Sequence, residues 1–234
     1  MQNPEGLEDR ILYEDNHLII INKRSSEIVQ GDKTGDTPLS ELVKDYIKIQ
    51  YNKPGNVFLG VVHRIDRPVS GAVIFARTSK ALSRLNNMLR EGTIKKKYLA
   101  VVQNPPPSNE GKLTHHLKKN EKQNKSYVCL KDTDGAKQAE LNYKLLAESK
   151  SYYLLEVELL TGRHHQIRAQ LSATGCPIKG DLKYGFSRSN KDGSIHLHAY
   201  LLDFLHPVSN KQITVQAAAP DHDPVWQAFK EHLN

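Results

Sequence analysis

The apolar residues of this chain come in short runs, each closed by polar or turn-forming residues, and this limits what the chain can build. "HLIIINK" (17–23), "GAVIFART" (71–78), "KKYLAVVQ" (96–103), "YYLLEVELL" (152–160), "HLHAYLLDFLHP" (196–207) and "KQITVQAAAP" (211–220) have the length and bounding residues of strands. "QAELNYKLLAES" (138–149) reads as a strand paired with 152–160. None approaches the roughly 18 apolar residues that a membrane helix needs. Helical spacing is confined to four stretches. In "SELVKDYIKIQY" (40–51) Leu42, Tyr46 and Ile49 share a face. In "SKALSRLNNMLREG" (79–92) Ser79 is placed to cap, Leu82, Leu85 and Leu89 form a stripe, and Gly92 ends the helix. "RHHQIRAQLSATG" (163–175) reads as a helix closed by Gly175, and "DPVWQAFKEHL" (223–233) as one with Asp223 as cap and Pro224 in its first turn.

Strands in hairpin-like succession with few helices predict an α+β fold with a large, mostly antiparallel mixed sheet rather than repeated βαβ units. The proline-rich "NPPPSNEGK" (104–112) stops any regular element, and the basic "HHLKKNEKQNKS" (115–126) predicts an exposed loop or hairpin. No internal repeat is present and neither half carries a complete core, so a single domain over 1–234 is expected.

Composition narrows the function. The 33 Lys and Arg against 26 Asp and Glu leave a formal charge of +7. That excess supports phosphate binding and steering, and is equally compatible with solubility alone. Cys129 and Cys176 form neither a disulfide framework nor a metal cluster, and read as reduced thiols of a cytoplasmic protein. The N-terminal "MQNPEGLEDR" has acidic residues and no apolar core, unlike a secretory leader. His164 and His165, with His196 and His198, invite a metal reading. Adjacent histidines are a poor ligand pair, however, and no Cys or carboxylate completes a spacing, so no metal is expected.

Three segments concentrate charge beside apolar structure. In "VVHRIDRPVSG" (61–71), Arg64 and Arg67 flank Asp66. Guanidinium groups close by favour the ionised carboxylate, which suits a nucleophile or base and not a general acid. The plainer alternative is an ion-paired aspartate anchoring a turn before Pro68. In "TGRHHQIRAQ" (161–170), Arg163 and the first free amides of a helix would meet an anion, and Arg168 further along could point at a carboxylate partner; the plainer alternative is an amphipathic helix with Ile167 and Leu171 in the core and the arginines in water. In "IKKKYLAVV" (94–102), three lysines precede Tyr98, an aromatic able to stack on a base; alone, it reads as a basic edge strand with a packed tyrosine.

Taken together and in this order, these segments resemble the RluA-type family of RNA pseudouridine synthases. "HRIDRPVSG" is similar to that family's HRLDR-x-x-SG, "KKKYLAVV" to its K-x-Y segment, and "LLTGRHHQIRAQLSATGCPIKGDLKYG" (159–185) to its TGR-x-HQIR with the G-x-P-I-x-GD-x-x-YG that follows. "LHAYLLDFLHPVSNK" is similar to its LHA-x-x-L-x-F-x-HP ending. The resemblance runs from "ILYEDNHLIIINK" to "AAAPD" and departs at "NKRSSEIV", where Arg24 stands at the usual proline, and at Val69, in place of a frequent threonine.

The resemblance implies a pseudouridine-synthase core with a central catalytic cleft, and no small S4 domain ahead of it. It implies Asp66 as the catalytic aspartate, Tyr98 as the active-site tyrosine and Arg168 as the arginine that meets the catalytic carboxylate. Arg64 would help hold the flipped nucleotide, with Arg163 and Ile167 beside the substrate. The implied reaction breaks C1′–N1 of a uridine, turns the uracil and joins C5 to C1′, and no cofactor is needed. Asp66 would attack C1′ or take the C2′ proton. The implied partner is ribosomal or transfer RNA, and the absence of a long exposed apolar helix favours a monomer. Two other functions fit the same residues: a non-catalytic RNA-binding module, and a nucleoside glycosidase. The latter needs a second carboxylate, for which Asp181 is the candidate by motif, although a turn-bracing role suits it better.

Overall fold

The computed structural model describes residues 6–32 and 34–233; of the N-terminal segment examined for a leader, residues 1–5 lie outside it. Eleven strands and four α-helices follow one another along the described chain. They are β1 (Ile11–Glu14), β2 (Leu18–Lys23), α1 (Leu39–Gln50), β3 (Gly60–Val61), β4 (Ser70–Ala76), α2 (Ser79–Glu91), β5 (Lys95–Val102), β6 (Glu110–Asn120) and β7 (Lys125–Cys129). Then come β8 (Lys137–Glu148), β9 (Tyr153–Leu159), α3 (Gln166–Ala173), β10 (Leu197–Leu205), β11 (Gln212–Gln216) and α4 (Pro224–Ala228). The expected α+β class is the observed one. Each apolar run became a strand, and the 115–126 stretch is the hairpin of β6 and β7.

The chain divides into two compact units, one holding the residues up to Ile94 together with Ala199–Ala218, the other Lys95–His198 together with Ala219–Asn234. In the first unit the strand order is β1-β2-β4-β10, with β3 on β4 and β11 on β10. β2 and β4 are antiparallel and paired from Leu18↔Ala76 to Lys23↔Gly71. All seven residues of β4 are buried, which explains why its sequence is a continuous apolar run rather than an alternation. Leu18, Ile20, Ile74, Leu85, Phe204 and Val215 belong to one core cluster there. α2 is capped at its start by the Thr78 hydroxyl, which accepts from the Ala81 amide at 3.2 Å, and not by Ser79 as its spacing suggests. Gly92 closes it in the left-handed conformation, as predicted. The buried face of α1 is Leu39, Val43, Tyr46 and Ile47, turned from the predicted stripe; Leu42 and Ile49 are only half-buried.

In the second unit the order is β5-β9-β8-β6-β7, with antiparallel pairs throughout this series. α3 begins three residues later than its apolar spacing implies, because His165 takes a left-handed φ of 52° and ends the preceding turn. The last helix is short, only Pro224–Ala228. Its Asp223 cap is as expected, accepting from the amides of Val225 (2.8 Å) and Trp226 (3.2 Å).

Candidate active-site residues

In the first unit Asp66 sits half-buried on the loop between β3 and β4, where its carbonyl accepts from the Val69 amide at 3.0 Å. Buried Ile65 and Val69 anchor the loop on either side, and Arg64 is exposed. The loop is fastened from below. Lys23, at the inward end of β2, is wholly buried and donates to the carbonyls of Arg24 (2.9 Å), Glu27 (2.8 Å) and Arg67 (3.2 Å). Burial pulls its ammonium down to about 8, with Glu27 and Asp66 opposing the shift. Arg67 points away along the same seam. Its Nε donates to the Ser26 carbonyl at 3.1 Å, its guanidinium pairs with Asp36, and its own carbonyl accepts from the Ser26 amide at 2.8 Å. Arg67 therefore has a structural partner that the sequence reading did not give it.

Two local sequence choices become intelligible here. Gly71 has a φ of 117°, and a Cβ on it would stand 2.3 Å from the Ala199 carbonyl oxygen, so the "SG" after the aspartate loop admits no side chain. Arg24, which replaces a proline, uses an amide that proline lacks. That N–H donates to Glu27 Oε2 at 3.0 Å, and Arg10 Nη1 holds both carboxylate oxygens of Glu27 at 2.8 Å.

In the second unit Tyr98 lies on β5, 7% exposed and in register with Val157 of β9. α3 carries Ile167 and Arg168, and Gln166 through Leu171 are all buried, so its arginine is not in water. Arg168 makes a two-point pair with Asp181, Nε to Oδ2 at 2.7 Å and Nη2 to Oδ1 at 2.9 Å. Its guanidinium also lies over the Tyr184 ring, 5.0 Å from the centroid. Such a fork fixes the orientation of the guanidinium plane. Asp181 makes no side-chain cap on the turn at Leu182–Tyr184, so its turn-bracing role is corrected: it holds the helix arginine. The Tyr184 hydroxyl takes the Ser126 amide at 2.9 Å, gives to the Ser126 carbonyl at 3.1 Å and is hydrogen-bonded to His165 Nδ1 at 3.0 Å. Burial, then the charge of Arg168, pushes the His165 imidazole down to about 2 and keeps it neutral at ordinary pH.

The anion site expected at the start of α3 is altered by its own sequence. The Gln166 side-chain oxygen accepts from the Arg163 amide at 2.9 Å and from the Thr161 hydroxyl at 2.7 Å, so that amide is already used. Arg163 is exposed and its Nε donates to the Gln138 carbonyl at 2.9 Å. The structure thus gathers Arg163, Ile167 and Arg168 about α3, and holds Arg64 and Asp66 on the loop of the other unit. Lys23 and Tyr184 are the residues that sequence reasoning missed, and Asp181 was given a different role. Lys23 carried a signal, as a lysine closing a strand that opens on four apolar residues. Among the described residues no group of three or more His, Cys, Asp or Glu is placed to hold a metal ion, and His196 is bonded to Asp223 at 2.8 Å.

The sequence profile of the RNA pseudouridylate synthases matches residues 17–173, about two thirds of the chain. The chain belongs to this family. Ribosomal large subunit pseudouridine synthase C of Buchnera aphidicola (subsp. Acyrthosiphon pisum) is 34% identical over 241 residues, covering 100% of this chain and 73% of the relative. Ribosomal large subunit pseudouridine synthase D of Zymomonas mobilis is 30% identical over 227 residues, covering 93% and 71%. Among solved structures, human RNA pseudouridylate synthase domain containing 4 superposes with a TM-score of 0.77 at 21% identity, covering 93% of this chain and 91% of that one. At that identity the likeness speaks for the fold, which is that of a pseudouridine synthase. Family membership makes this pseudouridine synthase an isomerase acting on RNA, and the non-catalytic alternative is not favoured. No helix among the described residues is long and apolar enough to cross a membrane.

Proposed function

We propose that this pseudouridine synthase isomerises uridines of large-subunit ribosomal RNA, with Asp66 as the catalytic carboxylate. The motif "HRIDRPVSG" carries this assignment, and the pinning of its loop by Lys23 and Ser26 supports it: a half-buried carboxylate is presented on a backbone that cannot easily shift. Tyr98, on the inward face of β5, stacks on the everted base, and its removal from the RNA stack costs a few kcal/mol. Arg168 contributes to the reaction a positive charge whose orientation Asp181 fixes. Arg64, exposed beside Asp66, holds the flipped nucleotide, and Arg163 and Ile167 border it. The ribosomal substrate follows the names of the relatives, which are of that class over more than 90% of this chain. The enzyme acts as a single catalytic domain and a monomer in the cytoplasm; the chain passes between its units at 94–95, 198–199 and 218–219, so neither unit is one continuous segment.

Asp66→Asn abolishes pseudouridine formation on transcribed ribosomal RNA while RNA affinity stays within a few-fold, and Arg168→Ala lowers turnover more than binding. Conversion by Asp66→Asn at the normal rate refutes the assignment. Pseudouridine mapping in cells with and without the gene identifies the RNA, and sites lost from transfer RNA alone replace the ribosomal assignment. The glycosidase reading loses its second acid, because Asp181 is 1% exposed and engaged at both oxygens by Arg168.

A further inference from the structure

The three lysines that open β5 have different fates. Lys97 is paired across the sheet with Glu156 at 2.8 Å, and Lys95 is exposed. Lys96 projects to the other face of the strand, the face of Tyr98. It is half-buried, and no described residue accepts a hydrogen bond from its ammonium or pairs with it. Burial lowers its pKa, and no carboxylate counters the shift. Its Nζ lies against the Thr161–Gly162–Arg163 turn, 3.7 Å from where a Cβ of Gly162 would stand. An ammonium taken partly out of water without a counter-charge destabilises the fold. This chain keeps one beside an exposed arginine, on the turn where its sequence suggested an anion.

We propose that Lys96 is a substrate-binding residue that takes a backbone phosphate of the RNA next to the target uridine, with the Gly162 turn leaving room for the phosphate and Arg163 flanking it. This rests on the reading of RNA as substrate and of Tyr98 as a neighbour of the everted base. A phosphate fits better than a uracil carbonyl because the ammonium lacks a full negative charge, and every nucleotide linkage brings one. The anion site at this turn is therefore made by side chains and not by helix amides, which Gln166 has already engaged at Arg163.

The test compares wild type, Lys96→Met, Lys96→Gln and Lys96→Arg. Each is titrated with unmodified large-subunit ribosomal RNA transcribed in vitro, and with a transfer RNA transcript in parallel, over a series of KCl concentrations. Loss of one charge-assisted contact weakens binding roughly tenfold at low salt. It also reduces the slope of log affinity against log salt by about 0.7–0.9. Lys96→Arg retains most of both. The Met variant melts at a higher temperature than wild type, since an unpaired charge has gone; a merely structural lysine would lower it. Unchanged affinity and slope in both neutral variants overturn the proposal, as does folding lost in both. Failure of wild type to form pseudouridine on either transcript would sink the reading of the substrate instead, and leave the binding slopes to decide on Lys96.

Discussion

Lys23 shows how one residue can stiffen the loop that carries Asp66. A deprotonated amine keeps fewer donors, and the three carbonyls around it are best served by the cation, yet burial draws its pKa from 10.5 to about 8. The folded state therefore releases its proton before the unfolded state as pH rises, so this group's contribution to stability grows between about 8 and 10.5. Relative to Lys23→Met, wild type gains about 2 kcal/mol of unfolding free energy between roughly pH 7 and pH 9.5, read from urea titrations. A difference independent of pH would show that Lys23 is not buried as a cation. Arg168 is the converse case. It is buried with its counter-charge supplied by Asp181, so the helix keeps its guanidinium in one orientation.

At the scale of elements, boundaries were decided by caps that periodicity does not see. The apolar stripe of α2 was readable, but its cap lies one residue earlier than the stripe suggests, because the Thr78 hydroxyl and not that of Ser79 reaches the Ala81 amide. Thr78→Ala accordingly costs about 1 kcal/mol, and Ser79→Ala stays within about 0.5 kcal/mol. Equal effects in thermal or urea unfolding would return the cap to Ser79. α3 illustrates the opposite limit. The plainer of its two sequence readings, an amphipathic helix with arginines in water, fails because six consecutive residues are buried. Burial on every side is affordable because Gln166, Arg168 and Gln170 find fixed partners in Thr161, Asp181 and the Leu113 and Ala139 carbonyls.

For the whole molecule, the reaction class makes a simple demand. Isomerisation of a uridine transfers no net electrons to or from the substrate and releases no group, so its stoichiometry calls for no electron or group carrier. Dialysis against EDTA, followed by restoring the magnesium that folds the RNA, leaves the rate of pseudouridine formation unchanged. Activity recovered only with a transition metal would place an ion in the mechanism. The net charge of +7 supports association with RNA at this scale, and the proposal for Lys96 makes part of that attraction local, since no described carboxylate pairs with its ammonium.

The sequence by itself determined the longer apolar strands, the α+β class and the motifs that place this chain among the pseudouridine synthases. Those features depend on neighbours along the chain: a run such as "GAVIFA" is apolar because both faces of its strand are covered, and spacing alone reveals it. Only the tertiary structure decided which charges pair. Arg168 meets Asp181 thirteen residues away, Lys23 meets the Arg67 carbonyl forty-four away, and Lys96 meets no acid among the described residues. Partners at such separations are chosen by how the backbone brings burial and hydrogen-bond geometry together, and no period in the letters records that choice.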